Sequence, residues 1–289
     1  MIRLGVIGNL NYEGLPAVLE RLIELTPALR ITPVFEPDLH AVVRQAEMLS
    51  DPAHIDAMLT LGGDGTMLRG ARLVAGRQIP VLGVNLGRLG FLTACAREDM
   101  ELAIERLAAG DYLVQKRMTL EAWTTRHPEP RWRALNDVVV HKGGFARVFT
   151  LRASVNGELM SAYAADGVII SSPTGSTGYS LSAGGPIVVP TVESLILTPI
   201  SPHTLAIRPV VLPPHAEVTV HVDEGPEELL VTIDGQVGAS FYPGDTLTVR
   251  RADKPVLVVT FRDGTFFSRM RRKLGWGGLR ERGEEIGAD

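Results

Sequence analysis

The sequence predicts an α/β N-terminal domain on an open parallel sheet, followed by an all-β sandwich. The first third of the 289 residues alternates short apolar runs with stretches of helical period, as strands wound with helices on both faces do. Near Asp111 the period changes to two, and hairpin signals such as Asn156-Gly157 follow. A hydrophobic content of 45% over this length supports two cores rather than one.

The elements follow in order. Ile2–Ile7 reads as a strand. Leu15–Leu25 reads as a helix with Leu15, Val18, Leu19, Leu22 and Ile23 at helical spacing. Thr32–Phe35 is a short extended piece, and Ala41–Met48 is expected to return to helix. Ile55–Leu61 approaches as a strand, the turn Gly62-Gly63-Asp64-Gly65-Thr66 follows, and a helix starts through Met67–Arg72. Val81–Val84 is the next strand and 98–108 the next helix. This Rossmann-like alternation defines a first domain over 1–110. The sandwich is expected over 111–263. Phe149–Val155 and Glu158–Tyr163 form a hairpin about Asn156-Gly157, and Glu217–Val222 is expected to pair with Leu229–Ile233. Thr246–Arg250 and Val256–Phe261 complete the sandwich. The acidic tail Gly283–Asp289 is expected to fray.

Bulk properties exclude several classes. A formal charge of −4 gives no electrostatic reason to expect nucleic acid or an anionic membrane. No apolar run approaches transmembrane length, and the N-terminus lacks the pattern of a signal peptide. The single cysteine, Cys95, excludes an intrachain disulfide and fits a reducing cytoplasm. Its apolar neighbours suggest a buried small residue rather than a nucleophile. The seven histidines show neither HExxH nor an i,i+4 pair, so no dedicated zinc site is expected.

Leu61-Gly62-Gly63-Asp64-Gly65-Thr66 carries the first chemical signal. Glycines allow a phosphate to approach the backbone, and amide N–H groups at a helix N-terminus favour an anion. A carboxylate there would repel phosphate, which suggests a different role, such as taking a proton from a hydroxyl or helping to hold a metal. The turn is neither a Walker loop nor GxGxxG. A tight turn with Asp64 bonded to its own backbone is the alternative. The second signal is Asp166 to Ile187, where six Ser/Thr residues lie between Ser171 and Ser180 behind the apolar Val168-Ile169-Ile170. Such hydroxyls are costly to bury without partners, and Tyr179, Leu181 and Gly184-Gly185 behind them argue for a ligand-binding turn over a solvated loop. Gly-Ser-Thr-Gly around Ser176 is not a hydrolase elbow.

Together these blocks resemble the NAD kinase family. The pattern continues through Gly83–Leu92, Ala134-Leu135-Asn136-Asp137-Val138-Val139, Ser201–Pro209, Asp234-Gly235-Gln236 and Lys273-Leu274-Gly275-Trp276. The resemblance implies phosphoryl transfer from ATP to the 2′-hydroxyl of the adenosine ribose of NAD, giving NADP; some members also use polyphosphate. It implies a site in the cleft between the domains and a C-terminal helix, carrying the basic run Arg269–Lys273, that returns to the first domain.

By the same resemblance Asp64 is the base and Gly65 allows close approach of NAD beside it. Gly62, Gly63, Gly65 and Thr66 line the donor phosphates. Arg69, one turn on, either reaches a phosphate or forms a surface salt bridge. Asn136 and Asp137 bind adenosine, although most relatives carry Glu at the latter position. Thr174, Thr177, Gly178, Tyr179, Ser180, Leu181 and Ser182 fall where relatives contact NAD. Phe91 walls the nicotinamide side, Asp166 lies near the nicotinamide end, Gln236 is another NAD contact and Arg147 matches a basic position. Mg²⁺ is expected with ATP, without protein ligands of its own. Ala164 stands where many relatives have Arg, so that contact is absent or supplied by another residue. Relatives are dimers or tetramers, and the segment around Asp166 approaches NAD in a neighbouring subunit. Tyr163 is therefore expected at that interface, or else in its own core. Two other functions fit GGDGT: a lipid or sphingoid kinase, which would not need the Thr174–Ser182 block, and a non-catalytic NAD(P) sensor, which would not need Asp64.

Overall fold

In the computed structural model the described residues are 1–276, apart from 45, 89, 127, 129–131, 144–148, 205, 224–228 and 263–264. Arg147 and the tail Gly283–Asp289 lie outside them. The chain divides into two compact units, Met1–Gln115 with Leu257–Asp289, and Lys116–Val256.

The first unit contains β1 (Ile2–Gly8), α1 (Leu15–Leu25), β2 (Ile31–Phe35), β3 (Ala57–Leu61), α2 (Asp64–Leu73), β4 (Pro80–Asn85), β5 (Cys95–Ala96) and α3 (Met100–Ala109). β6 (Leu113–Arg117) runs across the boundary into the second unit. α1 begins with a proline in its first turn and buries Leu15, Val18, Leu19 and Leu22, the apolar face that its 3.6-residue period requires. α3 stops at Gly110, whose φ of 72° only glycine adopts without strain. β1 pairs in parallel with both β2 and β3, and β3 pairs in parallel with β4.

The second unit carries β7 (Leu120–Thr124), β8 (Trp132–Ala134), β9 (Asp137–Lys142), β10 (Phe149–Val155), β11 (Glu158–Ala165), β12 (Gly167–Ser171), the one-turn α4 (Tyr179–Ser182), β13 (Leu195–Ile200), β14 (Val210–Leu212), β15 (Glu217–Val222), β16 (Leu229–Ile233), β17 (Val237–Phe241) and β18 (Thr246–Arg251). They form two six-stranded sheets, ordered β11-β10-β15-β18-β7-β8 and β14-β13-β12-β9-β16-β17. Alternate residues such as Leu151, Val220 and Leu247 of one sheet and Val140, Ile170 and Val231 of the other share one core, which is sandwich packing. Asn156 and Gly157 both take positive φ, as a two-residue hairpin turn needs.

The chain then returns to the first unit as β19 (Val256–Thr260) and α5 (Phe266–Leu274). α5 is capped by the Thr265 hydroxyl accepting from Ser268 N–H at 3.2 Å. This is the returning C-terminal helix.

Three expectations are corrected and one open alternative is decided. Among the described residues of 41–48 no helix forms: a short 3-10 turn, Pro37–Leu39, is followed by turns. Phe35 N–H donates to Glu47 and Leu49 N–H to Phe35, so this backbone extends the edge of β2. The Val256–Phe261 run does not complete the sandwich. β19 pairs in parallel with β4, and Val258 and Val259, on opposite faces, are both fully buried, as in a central parallel strand. β15 and β16 lie in different sheets instead of pairing with each other. Finally, Tyr163 packs in the sandwich core of its own chain at 4% exposure, and burial pushes its phenol pKa up. Its neighbour Ala162 is exposed on the edge strand β11, as Glu158 and Leu159 are.

Candidate active site

In the first unit the order β2-β1-β3-β4 reverses direction between β1 and β3. At such a switch point the strand ends leave a crevice that suits a ligand. The Gly62–Thr66 turn lies there, after the C-terminal end of β3. It is tied down by Gly62 N–H to Val84 C=O at 3.0 Å and by Leu86 N–H to Gly62 C=O at 3.3 Å. A Cβ on Gly62 would lie 2.2 Å from Thr66 Oγ1, so Thr66 folds over a surface that only glycine provides. Gly63 is the N-cap of α2, and Asp64 is its first residue. Gly65 follows within the same first turn.

Asp64 turns towards segment 90–92. Its two oxygens accept Phe91 N–H at 2.8 Å and Leu92 N–H at 3.0 Å. A Cβ on Gly90 would lie 2.0 Å from Oδ1, so this approach requires glycine at 90. Lys273 Nζ of α5 is 3.5 Å from Asp64 Oδ2 and 4.7 Å from the Phe91 ring centroid. Arg69 lies further along α2. It pairs with the buried carboxylate of Glu36 and donates to Gly8 C=O at 2.8 Å, and Glu36 also accepts Gly8 N–H. The salt-bridge alternative is thus met, by a half-buried pair rather than a surface one.

In the second unit a different carboxylate organises the site. Asp234, in the β16–β17 turn, accepts N–H groups from Leu135 at 3.0 Å, Asn136 at 2.7 Å and Asp137 at 3.1 Å. The turn conformation, with positive φ at Asp234 and Gly235, aims that carboxylate back at residues 135–137. Taken alone Asp234-Gly235 spells a hairpin turn, and nothing local to it signals the reach across 97 or more residues. Asp137 is buried, and burial together with the Asp234 charge pushes its carboxyl up to about 7.

The Ser/Thr block packs against the same pair. Ser172 donates to Leu135 C=O at 2.5 Å and accepts Gly175 N–H, and its own N–H reaches Asn136 C=O. A Cβ on Gly175 would lie 2.2 Å from Asn136 O. One on Gly178 would lie 3.7 Å from Asn136 Nδ2 and 4.0 Å from Asp137 Oδ2, so the turn and the pair face each other. Asn136 Oδ1 is buried and accepts from no donor among the described residues.

The remaining candidates divide. Thr174 is buried, with its hydroxyl 3.4 Å from Arg117, and Thr177 Oγ1 donates back to Thr174 C=O. Ser180 is fully buried against Thr198 at 2.9 Å, so its hydroxyl belongs to the fold. Tyr179 and Ser182 are exposed and Leu181 is half-buried. Gln236 is exposed just beyond the Asp234 turn. Asp166 is held by Lys142 Nζ at 2.7 Å, so the cation beside Asp166 comes from β9 and not from position 164. The Cys95 thiol is pushed up to about 12 by burial and Asp99, which keeps it protonated. Among the described residues no three or more His, Cys, Asp or Glu cluster in a way that could hold a metal. No helix of the described residues is long and apolar enough to cross a membrane.

Comparison with known proteins gives consistent matches over most of the chain. The model of the ATP-NAD kinase N-terminal domain matches residues 37–112, and that of the ATP-NAD kinase C-terminal domain matches residues 135–261. The NAD kinase of Gemmatimonas aurantiaca is 59% identical over 287 residues, covering 98% of this chain and 99% of that protein. That of Geobacter metallireducens is 42% identical, covering 96% and 99%. Among solved structures, yeast NADH kinase complexed with NADH superposes with a TM-score of 0.84 at 25% identity, covering 96% of this chain and 89% of that one. An NAD kinase from Archaeoglobus fulgidus in complex with ATP gives 0.76 at 26% identity, covering 96% and 100%.

Proposed function

The chain belongs to the NAD kinase family and is a kinase acting on NAD, and from that premise we propose how its residues divide the reaction between them. The donor is ATP. Gly62, Gly63, Gly65 and Thr66 bind its phosphates at the N-terminus of α2, where backbone N–H groups and the helix dipole favour an anion. Asp64 accepts the proton of the ribose 2′-hydroxyl. A carboxylate offers about four lone-pair sites and two take N–H donors, so acceptor capacity remains for a hydroxyl.

The acceptor is held by the second unit. The carrying observation is the buried Asn136 Oδ1, without a donor among the described residues, beside Asp137 and the Gly178 turn. An amide and a carboxyl in one recess suit the amino edge of adenine and a ribose hydroxyl, whereas an acyl chain would leave both unsatisfied. Tyr179, Ser182 and Gln236 contact the remainder of the dinucleotide, with Asp166 at its nicotinamide end. Thr174, Thr177, Gly178, Ser180 and Leu181 hold the turn in shape.

Mg²⁺ accompanies ATP and neutralises its phosphate oxygens, which are the hard ligands that this cation prefers. The enzyme works as a homo-oligomer through the exposed face of β11. A cytoplasmic location is part of the same reading, supported by the single, protonated cysteine.

The test is incubation of the purified protein with ATP, Mg²⁺ and either NAD or a sphingoid base, assaying NADP and phosphorylated lipid. NADP alone is expected. Asp64→Asn should lose about 10²–10⁴-fold in kcat while still binding NAD; near-normal kcat would remove Asp64 from the role of base.

A further inference from the structure

Arg269 and Lys273 are spaced i,i+4 on α5, so they share one face of the helix. Arg269 is 8% exposed, and its guanidinium donates to Thr93 C=O at 2.8 Å. Burial lowers its pKa, and the charge of Asp64 opposes that shift. The stretch Phe91–Thr93 is therefore clamped between Asp64, which takes the N–H groups of Phe91 and Leu92, and Arg269, which takes Thr93 C=O. Lys273, one turn further on, stands 3.5 Å from Asp64 Oδ2 with its ammonium 4.7 Å from the Phe91 ring centroid.

Neutralising Asp64 is a poor account of this lysine. The carboxylate already has two N–H donors and a helix N-terminus beside it. At 37% and 27% side-chain exposure, such an ion pair contributes little to stability. An ammonium carries three donors, and the face of Phe91 favours a cation held over it.

We propose that Lys273 is a catalytic residue that donates to the peripheral oxygens of the phosphoryl group in transit; this rests on the NAD kinase reading with Asp64 as base. A hydroxyl that gives its proton to Asp64 must lie about 2.6–3.2 Å from it. The phosphorus it attacks is one bond further away, so the oxygens of that group fall within reach of a cation 3.5 Å from the same carboxylate. In the transfer, the ribose oxygen forms its bond to phosphorus as the bond to the bridging oxygen of ADP breaks. ADP leaves with that electron pair, and the hydroxyl proton passes to Asp64. Lys273 takes no part in the proton transfer and stabilises charge that is spread over the three peripheral oxygens.

The test uses the full chain with Lys273→Met, Lys273→Gln and Lys273→Arg, and Arg271→Ala as a control on the exposed side of the same helix. Conversion of NAD to NADP by the parent protein comes first, and its failure would count against the family activity rather than against the lysine. Lys273→Met and Lys273→Gln should lower kcat about 10²–10³-fold with the KM for NAD little changed. Lys273→Arg should recover about tenfold of that loss, because it restores a donor cation of different shape. Calorimetric titration with a non-hydrolysable ATP analogue and with ADP provides a ground-state readout. The parent should prefer the triphosphate, and the Met and Gln variants should lose that preference. The proposal is overturned if kcat stays within about threefold of the parent. It is also overturned if the analogue and ADP weaken equally, the signature of a lysine that only braces the fold. Where Lys273→Met does not fold, the Gln and Arg variants decide by the same two criteria.

Discussion

Asp137→Asn should stabilise the protein above neutral pH while impairing its use of NAD. The Asp137 carboxyl sits on β9 beside the charge of Asp234, with Ser171 of β12 as its cross-strand neighbour and the Gly178 turn in front. Burial and that charge raise its pKa from 3.8 to about 7. In the unfolded chain the group ionises near pH 4; in the folded chain it holds its proton until about pH 7. Across that window the native state binds more protons, so stability falls as pH rises, and above it the loss is complete. A rise from 3.8 to about 7 corresponds to about 4 kcal/mol, a ceiling because relaxation and water entry reduce it. Asparagine has the same shape and no ionisation, so the advantage of the variant should grow from about pH 4 to about pH 7 and level off above that. Urea unfolding of both proteins at several pH values across that range measures it. The binding arm has the opposite sign: if the carboxylate accepts from a ribose hydroxyl, NAD should bind the parent more tightly as pH rises through about 7, and the variant should show no such rise. Parallel stability curves would refute the idea that Asp137 is held in its neutral form by its surroundings.

Asn136→Ala should raise the KM for NAD far more than that for ATP, by about 1–3 kcal/mol of binding for a buried partner left unpaired. Equal changes in both KM values would place the pair on the wrong substrate. Ala162→Arg, on the exposed side of β11, should lower the assembly mass seen by light scattering if that strand forms the contact between copies. An unchanged mass would move the interface elsewhere.

The parts of the fold legible from sequence were those with one local period. Leu15–Leu25 came out with its bounds because its apolar stripe and N-terminal proline act within a single helix. The β10–β11 hairpin came out because Asn-Gly fixes its turn locally. The errors share a cause. Val256-Leu257-Val258-Val259 carries the unbroken apolar run of a strand buried on both faces, but its partner β4 lies over 170 residues away. Segment 41–48 has helix-compatible residues, yet its flank bridges β2. At the site, the glycine turn and the Asn136-Asp137 pair were readable from chemistry and resemblance. Lys142, Lys273 and the anchoring by Asp234 were not, because each acts on a group distant in sequence. The serine block reads as a ligand-binding turn with Ser180 among its contacts, and within it Ser172, Ser176 and Ser180 satisfy buried backbone and hydroxyl partners.

The two units use one device for different ends. In each, a carboxylate at the end of an element accepts consecutive backbone N–H groups from a distant segment, and a glycine removes the Cβ that would obstruct packing there. Asp64 takes Phe91 and Leu92, with Gly90 beneath it; Asp234 takes Leu135, Asn136 and Asp137, and Gly175 packs on Asn136. Backbone N–H groups hold a carboxylate more rigidly than a flexible side chain does, because ordering them requires no further rotamer to be fixed. The consequences diverge with the surroundings. Asp64 keeps 27% of its side chain exposed and has a cation at hand, so it can take part in proton transfer. Asp234 is 8% exposed, and its charge is turned inward on Asp137. One carboxylate stays accessible beside a cation, and the other adds its charge to the burial that raises the pKa of its neighbour, although both are built from the same bonds.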